Sequence, residues 1–327
     1  MKGVGFSKVG DGHTDVVTFG ESMVVLAPQT AGSLDTVTDF HRGMAGAEGN
    51  VAVALARLGH RVQWLSRLGD DGFGRFIYKT LRGEGVNVAG VHINPERPTG
   101  VYFKEYLPTG RVRVQYYRSG SAAAGLEPKD VNLAHHQARF LFITGITPAL
   151  SDTCLRTVQQ AIQDAHELGM TVVFDPNVRY KLWPSAERAR EVLRELAGQA
   201  EIVLPGLEEG QLLTGKRDAE TLALDLLQNR TQLVVVKLGP SGAYYHTPEQ
   251  SGHVAGFSVT QVDEVGAGDA FAAGVLSGLI DNLPIPEVVR RACALGAMAV
   301  TSSGDYEGLP DRRALLEFMD GRAAPLR

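Results

Sequence analysis

Cysteine is nearly absent from this chain of 327 residues: Cys154 and Cys293 are the two present. Two cysteines cannot build a disulfide framework. Both sit in apolar helical patterns, which reads them as small core residues. Long apolar runs are also missing. No stretch approaches the roughly 20 apolar residues of a membrane span, and MKGVGFSKVGDGHTD at the N-terminus has no apolar run of signal-peptide length. The expectation is therefore a soluble, cytoplasmic protein. No Cys/His cluster has zinc spacing. Positive charge is not in excess, because 32 Lys+Arg against 37 Asp+Glu leave a formal net charge of −5. That excludes nucleic acid and anionic membranes as expected partners. With 44% hydrophobic and 21% charged residues, the composition is globular rather than disordered. Glycine is what the chain has in excess: there are 38, without a collagen period. An excess of that kind belongs in loops where backbone must approach something closely.

Short β-branched runs alternate with helical patterns. Asp15 to Gly20, Val62 to Ser66, Arg139 to Ile143, Thr171 to Phe174, Ile202 to Leu204 and Leu233 to Val236 read as strands. Ala47 to Leu58, Phe73 to Leu81, Ser151 to Leu168, Glu187 to Leu196, Gly268 to Ile280 and Pro286 to Thr301 read as helices. In the third of these, Leu155, Val158, Ile162 and Leu168 are expected to share the inner face, with Ser151 as N-cap. The alternation argues for an α/β fold with a mostly parallel sheet covered on both faces. Two segments, about 31–45 and 99–118, break the rhythm. The second carries the alternating run Arg111-Val-Arg-Val-Gln-Tyr116 after the turn Pro108-Thr-Gly110. Together they read as a small β-lid over one sheet edge. No linker divides the chain, so residues 1–327 are expected to form a single unit.

The segment Val262-Asp-Glu-Val-Gly-Ala-Gly-Asp269 carries the most chemistry. Gly266, Ala267 and Gly268 open a helix with bare N–H groups, which makes an anion hole. Asp269 in the first turn is placed to orient a hydroxyl and take its proton during phosphoryl transfer. The helix dipole is expected to keep it ionised and weakly basic. Alone, the same pattern also fits an Asp capping its helix. The second informative segment is Ala45-Gly-Ala-Glu-Gly-Asn50, a glycine-rich lead-in to a helix in which Asn50 could hydrogen-bond a polyol.

These two segments, their order and their separation resemble the two signature motifs of the PfkB (ribokinase-like) carbohydrate kinases, over about residues 15 to 315. The resemblance implies a three-layer α/β/α ribokinase-like fold with a small β-sheet lid. It also implies ATP and Mg²⁺ as cosubstrate and ion, with a monovalent cation an open question. Several further pieces resemble the 2-keto-3-deoxygluconate kinases of that family: Val101-Tyr-Phe-Lys-Glu-Tyr-Leu-Pro108, Tyr116-Tyr-Arg-Ser-Gly-Ser-Ala122, Thr144-Gly-Ile-Thr-Pro-Ala-Leu150, Asp175-Pro-Asn-Val-Arg179 and Gly304-Asp-Tyr-Glu-Gly308. The partner implied is a small sugar acid, whose carboxylate suits the guanidinium of Arg118 and of Arg179. By the resemblance Gly46, Tyr102, Tyr116, Arg118, Arg179 and Asp305 line the sugar site. On pattern alone Arg118 is a solvated strand charge and the two tyrosines are equally lid packing. The nucleotide side is expected from Asn177, Lys237, Gly239, Ser241, Gly242 and Cys293. Relatives often pair through their lids, which implies a homo-oligomer.

Two departures accompany the resemblance. Pro205-Gly-Leu-Glu208 stands where Asn-x-x-Glu is usual, leaving Glu208 as an indirect magnesium ligand. Asp263-Glu264 stands where Asp-Thr or Asp-Pro is commoner, which puts a monovalent-cation site in doubt. Gly210 to Lys216 fits G-x-x-x-x-G-K but is followed by Arg217 rather than Ser or Thr, so it is not read as a P-loop. Alternatives kept open are another family sugar such as fructose or ribose, and a sugar-binding regulator without catalysis, against which the intact Asp269 weighs.

Overall fold

The computed structural model describes residues 14–107 and 112–321. The expected turn at Pro108 to Gly110, and Arg111 after it, lie outside the described residues. The N-terminal half runs β1 (Val16–Phe19), β2 (Met23–Pro28), β3 (Phe40–Ala45), α1 (Ala47–Arg57), β4 (Val62–Gly69), α2 (Gly72–Gly83), β5 (Val91–Asn94), β6 (Val101–Tyr106), β7 (Val112–Tyr117) and β8 (Phe140–Thr144). Next come α3 (Asp152–Glu167), β9 (Thr171–Asp175), α4 (Ala186–Gln199), β10 (Ile202–Val203), α5 (Leu207–Thr214), α6 (Ala219–Leu226) and β11 (Leu233–Lys237). The chain closes with β12 (Ala243–His246), β13 (Ser251–Val254), α7 (Ala267–Ile280), α8 (Ile285–Ala299) and α9 (Arg312–Met319).

The main sheet has nine strands in the order β13-β12-β11-β10-β9-β8-β1-β4-β5. Pairings from β5 across to β11 are parallel, and β12 and β13 join antiparallel. Side chains alternate across a strand, so each strand feeds two cores. Phe140 and Phe142 of β8 pack in the core with α1, α7 and α8, while Leu141 and Ile143 pack in the opposite core with α3, α4 and α6. The same alternation holds in β11, with Leu233 and Val235 on one side and Val234 and Val236 on the other. The result is three layers, helix on sheet on helix. The C-terminal ends of β1, β8, β9 and β11 lie along one edge, where open α/β sheets bind ligands.

A second sheet has four strands in the order β3-β2-β6-β7. The segments read from sequence as a lid supply β3, β6 and β7; β2, starting at Met23, is an addition. Residues 29–39 form mostly bends and turns rather than strand. Cys154 and Cys293 are both buried. In α3 the inner face is Cys154, Thr157, Val158, Ala161, Ile162 and Ala165; Leu168 is 49% exposed and does not join it. Ser151 caps α3 as expected, accepting from the Cys154 N–H at 3.1 Å. The Gly210 to Lys216 segment is the end of α5 with Gly215 left-handed at its C-cap, so no phosphate loop forms there.

Candidate active site

Gly266 is the N-cap of α7 and takes φ +79°. A Cβ there would lie 2.3 Å from the Asp305 carbonyl oxygen, so only glycine lets the 304–308 loop close on the helix start. Asp269 sits in the first turn. Each of its carboxylate oxygens is met by an amide: Asn50 Nδ2 donates to Oδ2 at 2.7 Å, and Asn177 Nδ2 donates to Oδ1 at 3.4 Å. Asn50 arrives on the first turn of α1. Asn177 arrives just beyond β9, buried and with φ +36°, a conformation few non-glycine residues adopt. These two residues, expected at the sugar and at the phosphates, thus converge on Asp269 itself. Burial pushes the Asp269 carboxyl above the usual range, against the pull of the Asn50 amide, Arg179 and Lys237. Burial thus acts against the helix dipole, expected to keep this carboxylate ionised and weakly basic.

Lys237, the last residue of β11, points its ammonium at the start of α7, where a Cβ on Gly268 would stand 3.9 Å from Nζ. Nζ donates to both oxygens of Asp175 at 2.8 and 2.9 Å, and Glu209 lies 4.0 Å away. Burial disfavours the charge of Lys237, but the neighbouring carboxylates hold it protonated and raise its pKa. Asp175 and Glu209 escaped the sequence reading. The inward carboxylate is Glu209 rather than Glu208. Glu209 accepts from the N–H of Val178 at 2.8 Å and of Gly206 at 2.7 Å, whereas Glu208 is exposed. The residue three before the inward glutamate is then Gly206, not Pro205.

The lid supplies the opposite wall. Tyr102 and Tyr116 are directly paired across β6 and β7, with ring centroids 5.3 Å apart. Tyr102 is buried and its hydroxyl donates to Asp305 Oδ2 at 3.4 Å; Tyr116 is 44% exposed. Two residues along β6, buried Lys104 stands 3.9 Å from both Asp263 and Asp305. Its ammonium places one positive charge between these two carboxylates. Burial lifts the Asp305 carboxyl to about 7, with Lys104 opposing. Arg179 is exposed beyond β9, and its charge acts on Asp269. Arg118 follows β7 and is held by Glu21, its Nη2 2.5 Å from the carboxylate. Gly46 precedes α1 and packs against Glu21 and Ser22.

The remaining expected nucleotide residues form a separate group. Gly239 and Ser241 belong to a single 3-10 turn after β11, Ser241 accepting at its carbonyl from His253. Gly242 packs against the Val254 backbone. Cys293 lies on the inner side of α8, its thiol pushed up to about 11 by burial. Among the described residues no group of three His, Cys, Asp or Glu could cage a metal, and no helix is long and apolar enough to cross a membrane.

A partly buried carboxylate in the first turn of a helix, beside backbone N–H groups and a fixed ammonium at a parallel-sheet edge, is the arrangement of a phosphotransferase acting on a hydroxyl. The chain belongs to the pfkB family of carbohydrate kinases, whose model matches residues 13–312. It is 42% identical over 311 residues to a 2-dehydro-3-deoxygluconokinase of Bacillus subtilis (strain 168), covering 94% of this chain and 96% of that one. A solved PfkB protein from Polaromonas sp. JS666 superposes with a TM-score of 0.86 at 42% identity, covering 93% and 99% of the two chains. Fructokinase from Vibrio cholerae O395, in a fructose-, ADP- and calcium-bound form, superposes with a TM-score of 0.84 at 30% identity, covering 94% and 100%.

Proposed function

We propose that this kinase transfers the γ-phosphoryl group of ATP to the terminal primary hydroxyl of 2-keto-3-deoxygluconate. The observation that carries the reading is Asp269, fixed on both oxygens by amides at the start of α7. With its orientation locked and its basicity raised by burial, Asp269 holds the sugar hydroxyl and takes its proton. The hydroxyl oxygen then bonds to the γ-phosphorus, the bond to the bridging oxygen breaks, and ADP leaves with that electron pair. The N–H groups of Gly266 to Gly268 and the Lys237 ammonium stabilise the charge on the transferring group. Magnesium neutralises phosphate oxygens in such reactions. With no metal cage among the described residues, the site suits an ion carried in on the phosphates, with Glu209, 4.0 Å from Lys237, as a carboxylate that would face it. For the sugar acid, exposed Arg179 differs from Lys104, Arg118 and Lys237 in making no ion pair among the described residues. The 42%-identical sugar-acid kinase supports that substrate.

Fructose is the second reading, favoured by the fructose-bound neighbour and by the carboxylate already engaging Arg118. The single unit spanning the chain, with a lid that pairs two copies, is part of the proposal: Val112, Tyr116 and Tyr117 are exposed on β7. The test is ADP release across a panel of sugar acids and neutral ketoses. The sugar acid should be preferred at least tenfold in kcat/KM, about the worth of one charge-assisted contact; preference for fructose would transfer the assignment to the second reading. Asp269→Asn should cost about 10² to 10⁴ in kcat while leaving ATP binding largely intact, and wild-type-like turnover would remove Asp269 from the mechanism.

A further inference from the structure

The two sheets are joined by chain crossings that meet at one residue. Glu21 lies between β1 and β2. Gly46, where β3 leads into α1, packs so close that a Cβ would lie 2.4 Å from the Glu21 carbonyl oxygen and 2.8 Å from Ser22 Cα. Gly100, just before β6, would place a Cβ 2.6 Å from Glu21 Oε1. Beyond β7, Arg118 donates to Glu21 Oε2 from Nε at 2.7 Å and approaches it from Nη2 at 2.5 Å, and Ser121 Oγ donates to Oε1 at 2.5 Å. The Glu21 side chain is wholly buried and that of Arg118 is 10% exposed. A carboxylate so desolvated persists only with its charge matched and its oxygens bonded, and both conditions hold.

This pairing also fixes the orientation of the Arg118 side chain. With Nε and Nη2 both committed to Glu21, the guanidinium plane cannot turn, and Nη1 is its one terminal nitrogen without a hydrogen bond among the described residues. Its carbon lies 5.6 Å from the Tyr116 ring centroid, so it sits under the tyrosine pair of the lid. We propose that Glu21 is a positioning residue that presents the Nη1 edge of Arg118 to the polar head of the sugar and cancels its charge. The positive charge of the site left outside any ion pair among the described residues is then Arg179, which acts on Asp269. This inference rests on the proposed placement of the sugar beneath the lid. Arg118 reads shape, as a fixed fork; Arg179 reads charge.

A double-mutant cycle tests it on the full chain with whichever sugar is turned over best. Glu21→Gln keeps size and an acceptor but frees the charge and loosens the plane. It should raise the sugar KM roughly tenfold, with kcat falling less than about threefold and the KM for ATP moving less than about twofold. In an Arg118→Leu background the same change should alter the sugar KM by less than about twofold, because the group being positioned is gone. Equal effects in both backgrounds would overturn the inference, as would a parallel rise in the KM for ATP. If Glu21→Gln does not fold, Ser121→Ala removes one donor and keeps the ion pair. It should raise the sugar KM about threefold, again only when Arg118 is present; a rise in both backgrounds would overturn the inference. A wild-type preference for fructose would refute the sugar-acid reading, while the cycle, run on fructose, would still decide the role of Glu21.

Discussion

Glu48 offers a prediction with a computable size and a change of sign. It lies in the first turn of α1, 1% exposed, and one oxygen accepts from Thr144 at 2.7 Å and Thr147 at 2.8 Å. The other oxygen, Oε2, has no hydrogen-bond partner among the described residues. Burial outweighs the threonine hydroxyls and lifts the carboxyl from 4.5 to about 7. The folded state therefore holds this proton over a range in which the unfolded chain has lost it. Between those two values stability falls as pH rises, and the whole shift amounts to about 3 kcal/mol above neutrality. Glu48→Gln keeps the acceptor for both threonines and removes the titration, but puts an amide N–H₂ where no partner waits, at a cost of about 1–3 kcal/mol. The variant should be less stable than wild type near about pH 5 and equal or more stable near about pH 8.5, the difference between the two proteins moving by roughly 2 to 3 kcal/mol. Urea denaturation of both at a series of pH values measures this directly, because contributions from Asp305 and the other shifted groups cancel in the difference. Parallel curves would refute the account of Glu48 as a buried, neutral carboxyl at low pH.

Gly266→Ala should reduce turnover at least about a hundredfold, the order lost with one oxyanion-type donor, since the new Cβ must displace the Asp305 backbone; initial rates at saturating ATP and sugar would show it. Lys237→Met should raise the KM for ATP and lower kcat by about 10², while leaving the Asp175 carboxylate buried without a counter-charge. Chemical denaturation should accordingly show a loss of about 3–5 kcal/mol. Lys104→Met unpairs Asp305, whose carboxyl should rise further above about 7. The acidic limb of the sugar kcat/KM profile should move upward in pH, and an unmoved profile would separate Lys104 from the sugar site.

Local chemistry was legible in the sequence, and long-range contact was not. Gly266 to Asp269 could be read because bare N–H groups and carboxylate lie within one helical turn. The short apolar runs that became β8 and β11 could be read as strands of a sheet covered on both faces. Asn50 and Asn177 were recognisable as site residues, but their shared target Asp269 is 219 and 92 residues away along the chain, and no local pattern encodes that meeting. Glu209 was missed in favour of Glu208 because two adjacent glutamates on a helix are separated only by phase. The phase is set by the Gly206 N-cap, whose N–H donates to the carboxylate of Glu209 three residues on. Lid strand β2 was passed over because Met23-Val-Val-Leu-Ala-Pro28 follows β1 so closely that the change of sheet at Glu21 leaves no break in hydropathy. Strands β12 and β13 carry too few β-branched residues to announce themselves.

The contact between Gly266 and the Asp305 backbone makes one wall serve two substrates. In the proposed placement of the substrates, the loop that meets the sugar is the same surface that completes the phosphate hole, since a Cβ on Gly266 would strike the Asp305 carbonyl oxygen. Descendants of this enzyme that change sugars through the 304–308 loop would damage phosphoryl transfer at the same stroke. New substrates are therefore reached more readily by altering the lid, where Tyr116 and its neighbours on β7 can vary without touching the phosphate.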